Sequence, residues 1–186
     1  SSNISSANDK KVGIFYDERF LLHDTGPNHP ENPERLIPVI RDLKNNDHIS
    51  SNTIWPNFEA ATVEELNLVH TKEYIELVDR QISQLKNSRA YLSTGDTPIS
   101  KHTNLVAKLA VGAGLEAADQ IMAGTISTAF ALVRPPGHHA TASMGMGFCV
   151  YNSVAVVARY LQKKYDLKII LIVDFDVHHG NGTQDI

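Results

Sequence analysis

Five consecutive apolar residues, 169–173, run directly into Asp174. A strand that faces water on one side alternates apolar and polar positions. An unbroken apolar run of this length instead specifies a strand buried on both faces, as in a parallel sheet covered by helices. Upstream, residues 128–133 read as another short apolar strand, ended by Pro135, Pro136 and Gly137. Between the two, residues 152–164 carry Val156, Val157, Tyr160 and Leu161 at helical spacing. Strand, helix, strand over 128–173 is a βαβ unit with a right-handed crossover. The sheet is then parallel and the fold class α/β.

The rest of the chain supplies elements of the same kind. Residues 12–16 read as a first strand. Residues 17–33 read as loop, because Gly26, Pro27, Pro30 and Pro33 interrupt any regular element. Residues 34–43 read as a helix. Thr62, with Glu65 three positions on, is a capping box before a short helix to Val69. Thr71 reads as the N-cap of a helix reaching about Leu85. Residues 103–122 carry Val106, Ala110, Ala113, Ala117 and Ile121 on one helical face, with Gly124 as the stop. Residues 1–11 are Ser- and Asn-rich and read as a flexible tail, leaving 12–186 as one domain.

Composition narrows the chemistry. Net charge is −4 from 17 basic and 21 acidic residues, which gives no electrostatic case for nucleic acid. No apolar run approaches the ~20 residues that span a bilayer. Cys149 is the single cysteine, so neither an internal disulfide nor a Cys-rich zinc site is available, and a metal site must use His and carboxylate. The lone thiol favours a reducing compartment, cytoplasmic or nuclear. The sequence does not begin with Met, which leaves a removed targeting segment open.

In open parallel sheets, ligands bind beyond the C-terminal ends of the strands. Both polar clusters of this chain follow such ends: His138 and His139 after the first strand of the βαβ unit, residues 174–179 after the second. Asp174, Asp176 and His178 stand at i, i+2 and i+4, so in extended backbone they share one side. Carboxylate and imidazole together suit zinc or iron. The competing reading is a solvated loop behind a strand. For the adjacent histidines it is one catalytic ring and one structural ring. Gly137 permits a backbone that presents both, and a His beside a metal is a natural general base.

Arg134-Pro-Pro-Gly-His-His-Ala140, Gly147-Phe-Cys-Val-Tyr-Asn152 and Asp174-Phe-Asp-Val-His-His-Gly-Asn-Gly-Thr183 occur in that order. They resemble the signature blocks of the zinc-dependent histone deacetylase and acetylpolyamine amidohydrolase superfamily, in its class II-like branch. The stretch from His29 to Leu36 resembles the N-terminal block, and Gly95 to Pro98 resembles a rim loop. The resemblance implies a parallel-sheet arginase/deacetylase-like fold with helices on both faces. It also implies hydrolysis of N-acetyl amides, on acetyl-lysine in proteins or on acetylated polyamines and other small amines.

Residue by residue, the resemblance makes Asp176 and His178 zinc ligands and His138 and His139 the tandem pair, with His139 the proton shuttle. Asp174 would orient His138 and join a structural potassium ion with the backbone carbonyls of Asp176 and His178. Asn181 would orient His139; Asn fixes the tautomer without adding charge. Phe148 would wall the acyl-lysine tunnel, the Gly147 carbonyl would accept the substrate amide N–H, and Asp96 would grip the substrate backbone. Arg35 matches a residue near a product channel, or else pairs with Glu31 or Glu34. His70 reads as structural, His179 as turned away from the ligands, Cys149 and Asn152 as packing, and His23, His48 and His102 as surface.

The same resemblance sets an expectation of incompleteness at the C-terminus. The family's third zinc ligand, an Asp, and its oxyanion-binding Tyr belong to later blocks. The chain reads as the N-terminal part of one catalytic domain, inactive alone, whose remainder is a partner segment or a second chain. Two other readings compete: a binuclear manganese ureohydrolase, opposed because no Asp stands two positions beyond His178, and a catalytically incomplete binding or scaffold module.

Overall fold

The computed structural model describes residues 11–186; the expected tail over 1–11 lies, apart from Lys11, outside the described residues. The first strand, β1 (Val12–Phe15), is followed by a 3-10 turn over Glu18–Leu22 where loop was expected. Asp17 closes that turn by accepting from the Arg19 backbone N–H at 2.8 Å, and Phe20 inside it is fully buried. A second 3-10 turn leads into α1 (Leu36–Asn45), and Asn46 caps α2 (Asp47–Asn52) before β2 (Thr53–Ile54).

The capping chemistry is realised as the residues specify. Thr62 accepts from the Glu65 N–H while the Glu65 carboxylate accepts from the Thr62 N–H, opening α3 (Val63–Leu66). Thr71 accepts from the Tyr74 N–H and opens α4 (Lys72–Ser83). A hairpin of β3 (Arg89–Tyr91) and β4 (Pro98–Ser100) then leads to α5 (Thr103–Met122), with Gly124 at φ 73° just beyond it.

The sequence suggests one buried face for α5, and the structure buries two. Val106, Leu109, Ala110, Ala113 and Ala117 pack with Phe15, Phe20 and Phe58, on the side of β1. Ala107, Val111 and Leu115 pack into a second core with Tyr74, Ile75 and Val78 of α4 and with Val156. Small residues let both layers approach the helix closely. A Cβ on Gly112 would sit 1.9 Å from the Glu59 carbonyl oxygen, so glycine is required where that loop crosses the helix.

Beyond α5, β5 (Thr128–Ala131) pairs in parallel with β1, which pairs in parallel with β2, giving the order β2-β1-β5. The parallel sheet and α/β class are those read from the sequence. Asn152 caps α6 (Ser153–Tyr165), and the last helix is α7 (Asn181–Asp185). The stretch 168–173 departs from expectation: it joins no ladder, and it is not buried on both faces. Ile170 and Ile172 line a cleft with Ala131 at the end of β5, with Val133 just beyond it, and with Val154 and Val157 of α6. Ile169, Leu171, Val173, Phe175 and Val177 are 72–96% exposed, although Leu171 and Val173 also border that cleft. Burial of these five needs a cover, and the described residues supply none.

One buried cation organises the loops at the C-terminal ends of the sheet. Arg134 is 2% exposed, and its partner Glu31 is 4% exposed. Arg134 Nε and Nη2 donate to the two Glu31 carboxylate oxygens, each at 2.9 Å. Nη1 donates to the Phe20 and His23 carbonyls, and Nη2 also to the Glu31 carbonyl. A guanidinium has five N–H donors, and all five are used.

His23, expected at the surface, is fully buried in this network. Its Nδ1 lies 2.8 Å from the Thr103 hydroxyl, which also accepts from the Ser100 N–H. Burial, then the Arg134 charge, lowers the His23 pKa to about 3. His70 is structural, as its sequence context indicated: its Nε2 accepts from the Asn152 N–H at 2.9 Å, and burial lowers its pKa to about 4. His48 is exposed and His102 half-buried at the start of α5.

Two predictions follow from these buried groups. Removing one member of a buried ion pair strands the other, so Glu31→Gln should cost about 3–5 kcal/mol of unfolding free energy, read from urea denaturation. Both buried histidines are neutral when folded and take up protons near pH 6.5 when unfolded. Their stabilising contribution is complete above about pH 6.5 and declines as pH falls toward 4. His70→Gln should therefore flatten the dependence of stability on pH around pH 5 by about 1 kcal/mol per unit.

Candidate active site

The tandem histidines are held by loops that approach each other closely. A Cβ on Gly137 would lie 2.7 Å from the Tyr151 carbonyl oxygen, so the His loop lies directly against the start of α6. Asn152, read as packing, is fully buried and ties the loops together. Its Oδ1 accepts from the Ala155 N–H, and its Nδ2 donates to the Ala140 carbonyl and to the Thr183 hydroxyl. The Thr183 N–H donates to the His138 carbonyl at 3.1 Å, fastening α7 to the same loop.

Each histidine ring then meets its own acceptor. His138 Nδ1 lies 2.9 Å from Asp174 Oδ2, and His139 Nδ1 lies 2.7 Å from Asn181 Oδ1. A carboxylate and an amide oxygen accept only, so both rings carry their proton on Nδ1 and leave Nε2 bare. The ring centroids are 4.1 Å apart, and His178 joins them with its centroid 6.0 Å from that of His139. The contact with His138 holds the Asp174 carboxyl below its usual pKa, and the Asp176 N–H donates to Asp174 Oδ1 at 3.1 Å. Gly180 makes the Asp174 contact possible, since a Cβ there would lie 2.4 Å from Asp174 Oδ2.

Asp176 and His178 stand side by side. Asp176 Oδ1 accepts from the His178 N–H at 2.8 Å and lies 3.0 Å from His178 Nδ1. The His178 N–H, then its ring, hold the Asp176 carboxyl below its usual pKa. In donor type and proximity the pair suits zinc. In number it is short: no group of three or more His, Cys, Asp or Glu among the described residues is arranged to hold a metal ion.

A wall rises beside His139. Gly147 has φ 55°, and a Cβ on it would come within 2.3 Å of His139 Cδ2, so its backbone lies flat against the imidazole. Phe148 follows at φ 67°, a conformation uncommon for a bulky residue. Its ring meets the His29 ring edge-on, with centroids 4.5 Å apart. His29 stood inside a recognised block of the sequence, but no spacing rule linked it to a residue more than a hundred positions away. Asp96 Oδ1 accepts from the Gly147 N–H at 2.7 Å, so this carboxylate props up the wall. Arg35 is exposed and reaches to 3.6 Å from Glu31. His179 is exposed, and Cys149 is buried, with its thiol pKa pushed up to about 12 by burial.

Residues 29–186 match the family model described as the histone deacetylase domain. The chain is 40% identical to histone deacetylase 15 of Arabidopsis thaliana, with 98% of this chain and 33% of that protein covered. It is 39% identical to the polyamine deacetylase HDAC10 of Mus musculus, covering 89% of this chain and 25% of that one. The crystal structure of the HDA15 HD domain superposes with a TM-score of 0.86 at 37% identity, over 95% of this chain and 50% of that one. The chain thus spans a third or less of the length of these two curated relatives.

The crowding at Gly180 can be tested directly. Gly180→Ala should push Asp174 off His138, and the proton NMR resonance of the His138 Nδ1–H, shifted downfield by its carboxylate partner, should disappear while that of His139 persists.

Proposed function

The chain belongs to the histone deacetylase family, and from that premise we propose that it supplies the tandem histidines and two metal ligands of an N-acyl amide hydrolase. Its substrates are acetyl-lysine in proteins or acetylated polyamines and related small amines. The observation that carries this reading is the pair of contacts from His138 to Asp174 and from His139 to Asn181. They leave two bare Nε2 atoms beside Asp176 and His178.

Asp176 and His178 would hold zinc, and Asp174 with the backbone carbonyls of Asp176 and His178 would hold potassium. Zinc supplies Lewis-acid polarisation of the acyl carbonyl and acidifies water. His139 Nε2 takes the proton of the attacking water and returns it to the leaving amine. Asn181 keeps that ring in the required tautomer without adding charge, and Asp174 does the same for His138 with a negative charge. Phe148 confines the acyl-lysine stem, and the Gly147 carbonyl accepts the substrate amide N–H. Asp96 anchors the Gly147 backbone with one oxygen and meets the substrate backbone with the other.

One observation favours a second reading. With two donors and no third among the described residues, these 186 residues by themselves suit a binding or scaffold module better than a catalyst. Catalysis then needs a further segment to complete the centre, in the same polypeptide or in another.

An assay separates the two. In a catalytic domain of the length of the solved plant domain, acetyl-lysine peptides or acetylpolyamines should be hydrolysed, and zinc chelation should abolish turnover. There His139→Ala should lower kcat about 10²–10⁴-fold. Residues 1–186 alone should show neither turnover nor tight zinc binding. If the longer domain is also inert on both substrate classes, the scaffold reading stands.

A further inference from the structure

Asn181 is the only neutral group among the acceptors that fix the two rings, and neutrality brings a problem that Asp174 does not have. A carboxylate accepts through either oxygen. An amide has one accepting end and one donating end of nearly equal size. With Oδ1 toward His139, the ring carries its proton on Nδ1 and Nε2 is bare. With the amide turned over, Nδ2 would donate to Nδ1, the proton would move to Nε2, and the ring would no longer be a base toward the cleft. Something must tell the two ends of Asn181 apart.

The structure places a discriminating atom at the far end. Asn181 Nδ2 donates to the thioether Sδ of Met146 at 3.5 Å, while Oδ1 lies 2.7 Å from His139 Nδ1. A thioether sulfur is an acceptor only, and a weak one. It meets an N–H favourably and a carbonyl oxygen unfavourably, so it selects one of the two amide orientations. Met146 is half-buried, and the Cys149 N–H donates to its carbonyl at 2.9 Å, which fixes its backbone next to the Gly147 wall. Neither the residue type nor its position in the sequence pointed to a role beyond packing.

We propose that Met146 is a positioning residue that sets the tautomer of His139 by orienting the Asn181 amide. This rests on the reading of His139 as the general base, but its test does not need turnover. The tautomer is read from the ring ¹⁵N shifts of His139 in residues 1–186, at a pH of about 8.5, some two units above the ordinary imidazole value. Met146→Leu keeps the volume and removes the acceptor. It should move a substantial fraction of His139 to the form protonated on Nε2. Met146→Glu, whose ionised carboxylate only accepts and has similar reach, should return the ring toward the Nδ1-protonated form. In an Asn181→Asp background the side chain has no donating end, so Met146→Leu should leave the tautomer unchanged.

An unchanged tautomer in Met146→Leu would overturn the proposal. So would an equal shift with Asn and with Asp at position 181, which would mark Met146 as packing alone. Loss of dispersed NMR shifts in the leucine variant would leave the decision to Met146→Glu. There a tautomer matching the unsubstituted chain supports the proposal, and a shift toward Nε2 opposes it. Inactivity of the longer domain would refute the hydrolase reading while leaving these tautomer outcomes intact.

Discussion

A single buried guanidinium sets the geometry on which the candidate site depends. Arg134 sits at the root of the loop that carries His138 and His139, and it holds Glu31 and the carbonyls of Phe20 and His23 with all five of its N–H groups. An unpaired charge at that depth would cost several kcal/mol, so the three segments are committed to one arrangement around it. Glu31 lies two residues beyond His29, whose ring braces Phe148. The His139 ring and the wall beside it are therefore referenced to the same ion pair, although they lie in different parts of the chain.

Around this anchor, α5 separates two cores, and its small residues allow a close approach on both sides. Glycines mark the other close approaches. Gly112 admits the loop crossing α5, Gly137 lets the His loop lie on the start of α6, and Gly147 lies flat against His139. The histidine rings can be held at defined positions because backbone, rather than flexible side chain, forms much of their surroundings.

Local chemistry was the legible part of the sequence. The Thr62–Glu65 box, the Thr71 cap and the span of α5 depend on neighbours within a few residues, and they appear where the pattern puts them. The tandem histidines and their acceptors were legible through the resemblance of several ordered blocks, and the structure brings those side chains into contact. What could not be read depends on distant partners. His23 carries no mark in its own neighbourhood that it will be buried under Arg134. Met146 becomes notable only once Asn181 lies beside it. The apolar run over 169–173 records a demand for burial on two faces, and the described residues meet it only in part. Periodicity states what a segment needs; it does not state what supplies the need.

In the proposed hydrolase, Asp176 and His178 are metal ligands facing the bare nitrogens of His138 and His139. Anomalous diffraction at the zinc absorption edge, from crystals of the zinc-loaded catalytic domain containing these residues, tests it most directly. One strong peak is expected within bonding distance of both an Asp176 oxygen and a His178 ring nitrogen, on the side of the cleft where His139 Nε2 points. A peak bound elsewhere, with Asp176 and His178 left bonded to each other, would contradict it.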